Sequence, residues 1–186
     1  MTTSTEPTDV TQLLESQHEQ VKALFAKIGD GRGANAADDF CELRRMLAVH
    51  ETAEEEVVYP ALRKTGTDGE RVADARLAEE AEAKEALQKL ESIDPKDAAF
   101  AAQIQALGKA ATAHAEAEER EVFPRIRAAA SPETLATMGK ALQRAEAAAP
   151  THPHPHAPGS ESAPGNLMAG PFLSIVDRVR DAMRSK

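Results

Sequence analysis

Apolar residues recur at helical spacing along most of the chain. Leu14, Val21, Leu24, Phe25 and Ile28 form one stripe, and Asp9 with Gln12 makes a capping-box pattern ahead of it. This predicts a first helix over 10–28, ended by Gly29, Gly31 and Gly33. Phe40, Leu43, Leu47, His50, Glu54, Val57 and Val58 lie on or near one face of a second helix from Ala36 to Arg63. Pro60 near its end removes one backbone donor and is expected to kink it. Thr67 with Glu70 is another capping-box pattern, for a third helix over 68–91. Asp94-Pro95 reads as a cap followed by proline at the first helical position, and opens a fourth helix over 95–128. Ser131-Pro132-Glu133 repeats that start for a short fifth helix ending before Pro150. Pro, His, Ser and Gly dominate 150–170, which reads as a linker. A last amphipathic piece over 171–184 carries Phe172, Leu173, Ile175, Val176, Val179 and Met183. The expected organisation is a disordered start over 1–8, a helical bundle over 9–149, the linker, and a C-terminal amphipathic helix over 171–186.

Strands are not expected. The chain has no Trp, one Tyr and five Phe, so the aromatic residues that favour strands are scarce, while Ala, Leu and Glu abound. The fold class is all-α. Short connections between the first four helices favour antiparallel neighbours, hence an up-down four-helix bundle with a short fifth helix.

Charge narrows the function classes. Against 31 acidic residues stand 22 basic ones, a net −9 over 186 residues. An acidic balance argues against nucleic-acid binding, which needs a basic stripe. No apolar run is long enough to span a membrane. The segment from Met1 to Val10 is polar and lacks the layout of a signal peptide, so a cytoplasmic protein is expected, as a monomer or weak oligomer. Cys41 is the one cysteine, which excludes an internal disulfide and any multi-cysteine metal site; it is read as a core thiol.

The bundle is built from two similar helical hairpins. His50-Glu51-Thr52-Ala53-Glu54-Glu55-Glu56-Val57-Val58-Tyr59-Pro60 recurs as His114-Ala115-Glu116-Ala117-Glu118-Glu119-Arg120-Glu121-Val122-Phe123-Pro124. Both read His, three residues, Glu-Glu, three residues, aromatic, Pro. The first helices of each hairpin align as well, with Val21, Phe25 and Ile28 matching Ala83, Leu87 and Leu90, and with His18 opposite Glu80.

On a helix, residues four apart share a face. His50 with Glu54, and His114 with Glu118, each set an imidazole beside a carboxylate on the apolar side. Carboxylates buried without a partner are costly, so the core needs something to neutralise them. A metal pair does this, and four-helix bundles hold di-iron pairs with inward Glu and His. The ligand set is His18, His50, Glu54, Glu80, His114 and Glu118. Nitrogen with carboxylate oxygen suits iron or, less well, manganese. The alternative is a metal-free bundle in which His and Glu pair with one another. Glu55, Glu56, Glu119 and Glu121 read as a solvated face. Tyr59 stands where the other copy has Phe123, either as packing or as a hydrogen-bonding or metal-contacting group. His152, His154 and His156 alternate with prolines, as plain linker or as accessory metal capture.

On these residues the chain resembles the hemerythrin-like, or HHE cation-binding, family over about 9–128. The resemblance implies a four-helix bundle around a non-haem di-iron centre, two iron ions in an oxo- or hydroxo-bridged pair. It further implies handling of oxygen, nitric oxide or peroxide, or a role in iron sensing or storage. The family normally has a histidine on its third helix, whereas no histidine lies between His50 and His114 here. The repeat puts Glu80 in that place, with Glu79 and Glu82 as substitutes under a slipped register. A third carboxylate favours ferric iron, which points from reversible oxygen carriage toward peroxide or nitric oxide turnover. A non-catalytic sensing module acting on a partner protein through the C-terminal segment is the alternative.

Overall fold

A computed structural model describes residues 9–29 and 35–152. Among the described residues every regular element is helical: α1 (Val10–Ile28), α2 (Ala36–Arg63), α3 (Thr67–Leu90), α4 (Ala98–Ala117), a π-helical turn (Glu118–Val122), α5 (Phe123–Ala129) and α6 (Pro132–Ala148). None of these helices is long and apolar enough to cross a membrane. The expected pieces over 1–8 and 171–186, and His154 and His156, lie outside the described residues.

Local signals set most of the ends. The Asp9 side chain accepts from backbone nitrogens of the first turn and Gln12 returns to the Asp9 nitrogen, so the capping box forms as its sequence suggests. Ser131 caps α6 by accepting from the Thr134 nitrogen. The capping box expected at Thr67 and Glu70 does not form. There the cap is Gly66, with φ of 109°, a conformation open to glycine. Gly69 follows in the tight α2–α3 corner, where a Cβ would stand 2.3 Å from the Leu62 carbonyl oxygen.

The fourth helix differs most from expectation. It starts at Ala98, because Asp97 rather than Asp94 caps it by accepting from the Ala99 nitrogen. Asp94 instead accepts from the Lys96 nitrogen in a local turn. The expected run to residue 128 is broken by the π turn that starts at Glu118. Pro60 lies inside α2, which remains one helix.

Contacts of α1 with α2, α2 with α3, α3 with α4 and α4 with α1 close a four-sided bundle, and α6 packs across α1 and α2. The core has two apolar halves. One gathers Leu14, Val58, Tyr59, Leu62, Val72, Phe123, Ile126 and Leu142. The other gathers Val21, Leu24, Ile28, Phe40, Leu43, Leu87, Leu90, Phe100 and Ile104. Each large apolar side chain so buried contributes about 1.5–3 kcal/mol. Each of the four bundle helices places a His or Glu between these halves, so a polar layer crosses the middle of the core.

Cys41 is exposed, not a core thiol as expected. It falls between Phe40 and Leu43 in sequence but off their stripe on the helix. The stretch expected to be linker begins on the bundle: Thr151 and His152 are buried, and His152 Nε2 lies 3.5 Å from Glu91 Oε1.

Candidate metal centre

The polar layer collects His18 from α1, His50 and Glu54 from α2, Glu80 from α3, His114 from α4 and Glu118 at the start of the π turn. Glu54 and Glu118 are fully buried, Glu80 is 1% exposed and His18 3%. One nitrogen or oxygen from each of His18, His50, Glu54 and Glu118 lies within 4.8 Å of the others. The same holds for Glu54, Glu80 and His114, so the two groups share Glu54. All six residues singled out in the sequence therefore meet in one layer, Glu80 in the place opposite His18.

The three imidazoles are held in the same way. His18 Nδ1 is 2.9 Å from Glu119 Oε1, His50 Nδ1 is 2.6 Å from Gln17 Oε1, and His114 Nδ1 is 2.8 Å from Glu79 Oε2. An oxygen acceptor at Nδ1 places the ring proton there and leaves the Nε2 lone pair free. Each Nε2 points inward at a carboxylate: His18 to Glu118 at 3.3 Å, His50 to Glu54 at 3.2 Å, His114 to Glu118 at 3.6 Å. These approaches do not complete the hydrogen bonding of the layer. Nε2 of His18 and His114, both Glu54 oxygens and Glu118 Oε2 are buried with no hydrogen-bond partner. Buried polar atoms are nearly always partnered. Imidazole nitrogens and carboxylate oxygens that converge in this way suit a bound cation.

Electrostatics agree. Burial, reinforced by Glu118 and Glu80, pushes the Glu54 carboxyl well above its usual range. Burial does the same to Glu80, against the pull of Lys84. Burial would also raise Glu118, but His18, His114 and His50 bring it down to about 2. Burial and the neighbouring imidazoles hold His50 down to about 3, so it is neutral at ordinary pH. Protons take up charge in this layer that a cation could take up instead.

Tyr59 Oη lies 2.5 Å from Glu80 Oε1 and 2.8 Å from Glu118 Oε1. It hydrogen-bonds rather than merely packs. Its single proton faces two carboxyl oxygens, so the second contact calls for a proton or a cation on one of the carboxyls. Phe123, the equivalent residue of the second copy, stacks on His18 with ring centroids 5.7 Å apart.

Glu119 and Glu55 are not the solvated face expected of them. Glu119 accepts at His18, while Glu55 is buried and pairs with Lys84. Lys84 itself is buried, 3.5 Å from Glu80 Oε2 and 4.0 Å from Glu51 Oε2. No motif in the sequence singles out Gln17, which bonds His50 and reaches Glu146 of α6 at 2.5 Å. Glu79, considered only as a substitute for Glu80, instead supports His114. One available signal was position: Gln17, Glu79 and Glu119 each directly precede or follow an inward ligand candidate in the chain.

Known proteins resemble this chain in sequence and fold. The family model described as the hemerythrin HHE cation binding domain matches residues 9–149. An uncharacterized hemerythrin-like protein of Schizosaccharomyces pombe is 32% identical over 138 residues, which cover 74% of this chain and 67% of that protein. The crystal structure of a hemerythrin HHE cation binding domain-containing protein from Mycobacterium kansasii has the same fold, with a TM-score of 0.65 over 75% of this chain and 86% of the other at 20% identity. A match across most of the chain, on a helical bundle whose core layer is made of imidazoles and carboxylates, makes this chain a member of the hemerythrin HHE cation-binding family.

Proposed function

We propose that the layer holds two iron ions and that the protein binds or turns over a small oxidant, peroxide or nitric oxide in preference to carrying oxygen. The observation that carries this reading is the common setting of three histidines, each with Nδ1 tied to an outer oxygen and Nε2 turned inward. In a metal-free bundle of His–Glu ion pairs, His50, which is held neutral, would be left out of the pairing.

His18, His50, Glu54 and Glu118 surround one position, and Glu54, Glu80 and His114 the other. Glu54 belongs to both groups and is placed to bridge. Glu118 Oε2 lies 3.3 Å from His18 and 3.6 Å from His114 and would be available to either ion. Iron bound there would supply one-electron chemistry from two adjacent centres. The chain's own contribution is positional. Glu119, Gln17 and Glu79 fix the ring tautomers, and Phe123 covers the face of His18 against water. Tyr59 holds a proton between Glu80 and Glu118. Lys84 offsets the charge of Glu80, a third carboxylate that favours ferric iron.

Metal analysis tests this. Protein purified with iron is expected to carry about two ions per chain, and His50→Ala with His114→Ala together should abolish them. Full iron content in that double variant would refute the site. Turnover of peroxide by the loaded protein, above free iron, separates an oxidant-consuming protein from an iron-binding module.

A further inference from the structure

A cleft of about 680 Å³ runs from the polar layer to the surface between α3 and α4. Its origin is in the sequence of α4, where ten of twenty residues are alanine. Small side chains on this helix, facing Ala83 and Ala86 of α3, leave space that larger residues would close. Buried Val21, Leu47 and Leu107 form the floor, and Ala106 and Ala110 line the α4 side. The inner end is formed by His18, His50, Glu80 and His114, and the mouth by Lys22, Glu82, Glu85 and Lys89.

The space exceeds what a diatomic molecule or hydrogen peroxide needs. A water occupies about 30 Å³ of liquid, whereas clefts that hold organic ligands run to roughly 300–1,000 Å³. The lining is mostly apolar; its further polar members are Glu51, Glu79, Gln103 and Thr112. Charge decides the kind of head group. Besides histidine, the basic side chains that line the cleft are Lys22 and Lys89, both at the mouth. Lys22 is 2.8 Å from Glu19, and Lys89 is 3.7 Å from Glu85. At the inner end Glu51, which is not among the candidate ligands, also lines the wall. No lysine or arginine lines the inner end of the cleft, so nothing there is built to pair with an anionic head. An uncharged hydroxyl or hydroperoxyl can donate to the carboxyl oxygens there and accept at the same end.

We infer that the α3–α4 cleft binds an elongated, uncharged amphiphile, an alkyl chain with a hydroxyl or hydroperoxyl head, with the chain along the alanines and the head at the histidine end. As the substrate class of the oxidant reading, this rests on that reading for what the head group would meet. The cleft itself belongs to the protein with or without metal, so binding is measured on metal-free, full-length protein.

Calorimetric titration with 1-octanol is expected to give saturable binding of one molecule per chain. Octanoate should bind at least tenfold more weakly. Ala86→Phe and Ala110→Phe fill the cleft from opposite walls, and each should weaken octanol binding at least tenfold. Both positions are away from the candidate ligands, so the melting temperature and iron loading of the variants should match the parent. Absence of saturable octanol binding, tighter binding of octanoate, or equal affinity in both phenylalanine variants would each overturn the inference. None of these results bears on iron content, while failure to load iron would remove the oxidant reading and leave the octanol result standing.

Discussion

In α2 the segment His50–Pro60 is unbroken α-helix, whereas in its repeat, His114–Pro124, the helix widens into a π turn over Glu118–Val122. The two segments share residue types and spacing, yet their side chains do different things. After the inward Glu54, Glu55 turns to Lys84 on the neighbouring helix. After the inward Glu118, Glu119 turns to His18, so Glu119 holds Nδ1 of the imidazole whose Nε2 faces Glu118. Consecutive residues diverge less in a π turn than in an α-helix, because its turns contain more residues. That is how two neighbours reach the same ring. The aromatic positions differ in the same sense: Tyr59 donates into the layer from the first copy, while Phe123 stacks on His18 from the second. Duplication supplies the six-residue frame, and departures from the duplicate tune each half. The half around His18 is rich in nitrogen. The half around Glu80 is rich in carboxylate and carries a buried lysine.

The largest effects come from asking whether the halves fill separately. Glu54 belongs to both groups, so Glu54→Ala should remove both irons. Glu80 belongs to one group, and Glu80→Ala should leave about one iron per chain. Glu80→His would make the halves alike in nitrogen, with a shift toward ferrous iron and slower peroxide turnover. Two irons retained by Glu80→Ala, with unchanged peroxide kinetics, would take Glu80 off the ligand set.

Metal removal comes next. Ions that bind the folded bundle and not the unfolded chain add RT ln(1 + [L]/Kd), about 4 kcal/mol at a thousandfold excess over Kd. The melting temperature should fall on chelation and recover with ferrous iron. The loss should also grow with pH. Burial raises Glu54 and Glu80, and raises Glu51 to about 8 despite Lys84. Burial opposes protonation of His18, but Glu118 and Glu119 prevail and raise it. A group whose folded pKa is raised stabilises at low pH, and that contribution is lost as pH climbs through the folded value. Glu118, at about 2, is ionised in both states above neutrality, and His50, at about 3, is neutral in the fold, so neither reverses the trend. From pH 7 to 9 the metal-free protein should therefore lose stability. With metal bound the ligand carboxylates are already ionised, and the gap in melting temperature should widen. A gap that narrows over that range would contradict a buried carboxylate site.

How far these features are visible in sequence depends on whether the deciding interaction is local. The ends of α1 follow from Asp9, Gln12 and Gly29, which act within one turn. His50, Glu54, His114 and Glu118 stand out because a repeated four-residue spacing puts them on an inward face. The acceptors at the histidine Nδ1 atoms come from other helices, so Gln17, Glu79 and Glu119 look like ordinary surface residues until the bundle is assembled. The π turn has no mark of its own, since both copies have the same spacing and one stays α-helical. Cys41 shows the opposite error: residue type suggests burial, while its phase relative to Phe40 and Leu43 turns it outward.

Lys22 and Lys89 sit at the mouth of the cleft, but the sharper contrast is between Lys22 and Lys84, which are equivalent in the repeat. Lys22 is partly exposed beside Glu19, and Lys84 is buried among Glu51, Glu55 and Glu80. Removing one partner of a buried ion pair leaves uncompensated charge. Lys84→Met should cost about 3 kcal/mol in denaturant unfolding at neutral pH, at the lower end of the range for such losses. Lys22→Met should be indistinguishable from the parent. Equal effects at the two lysines would mean that the two halves do not differ in buried charge.

The smallest expected effect makes the two copies alike at their aromatic position. Tyr59→Phe leaves ring packing in place and deletes only the hydroxyl between Glu80 and Glu118. Hydrogen bonds to charged or strongly polar partners contribute about 1.5–3 kcal/mol, but here one hydroxyl proton serves two oxygens, and Glu80 can protonate and bond Glu118 in its stead. The metal-free variant should therefore lose about 1–1.5 kcal/mol, near the lower bound. Iron content should stay at the parent value, because Tyr59 hydrogen-bonds ligand candidates and is not needed to complete either group of three or four. Loss of one iron in Tyr59→Phe would instead make the phenol oxygen a ligand of the Glu80 half, and the difference between Tyr59 and Phe123 would then set metal occupancy rather than proton position.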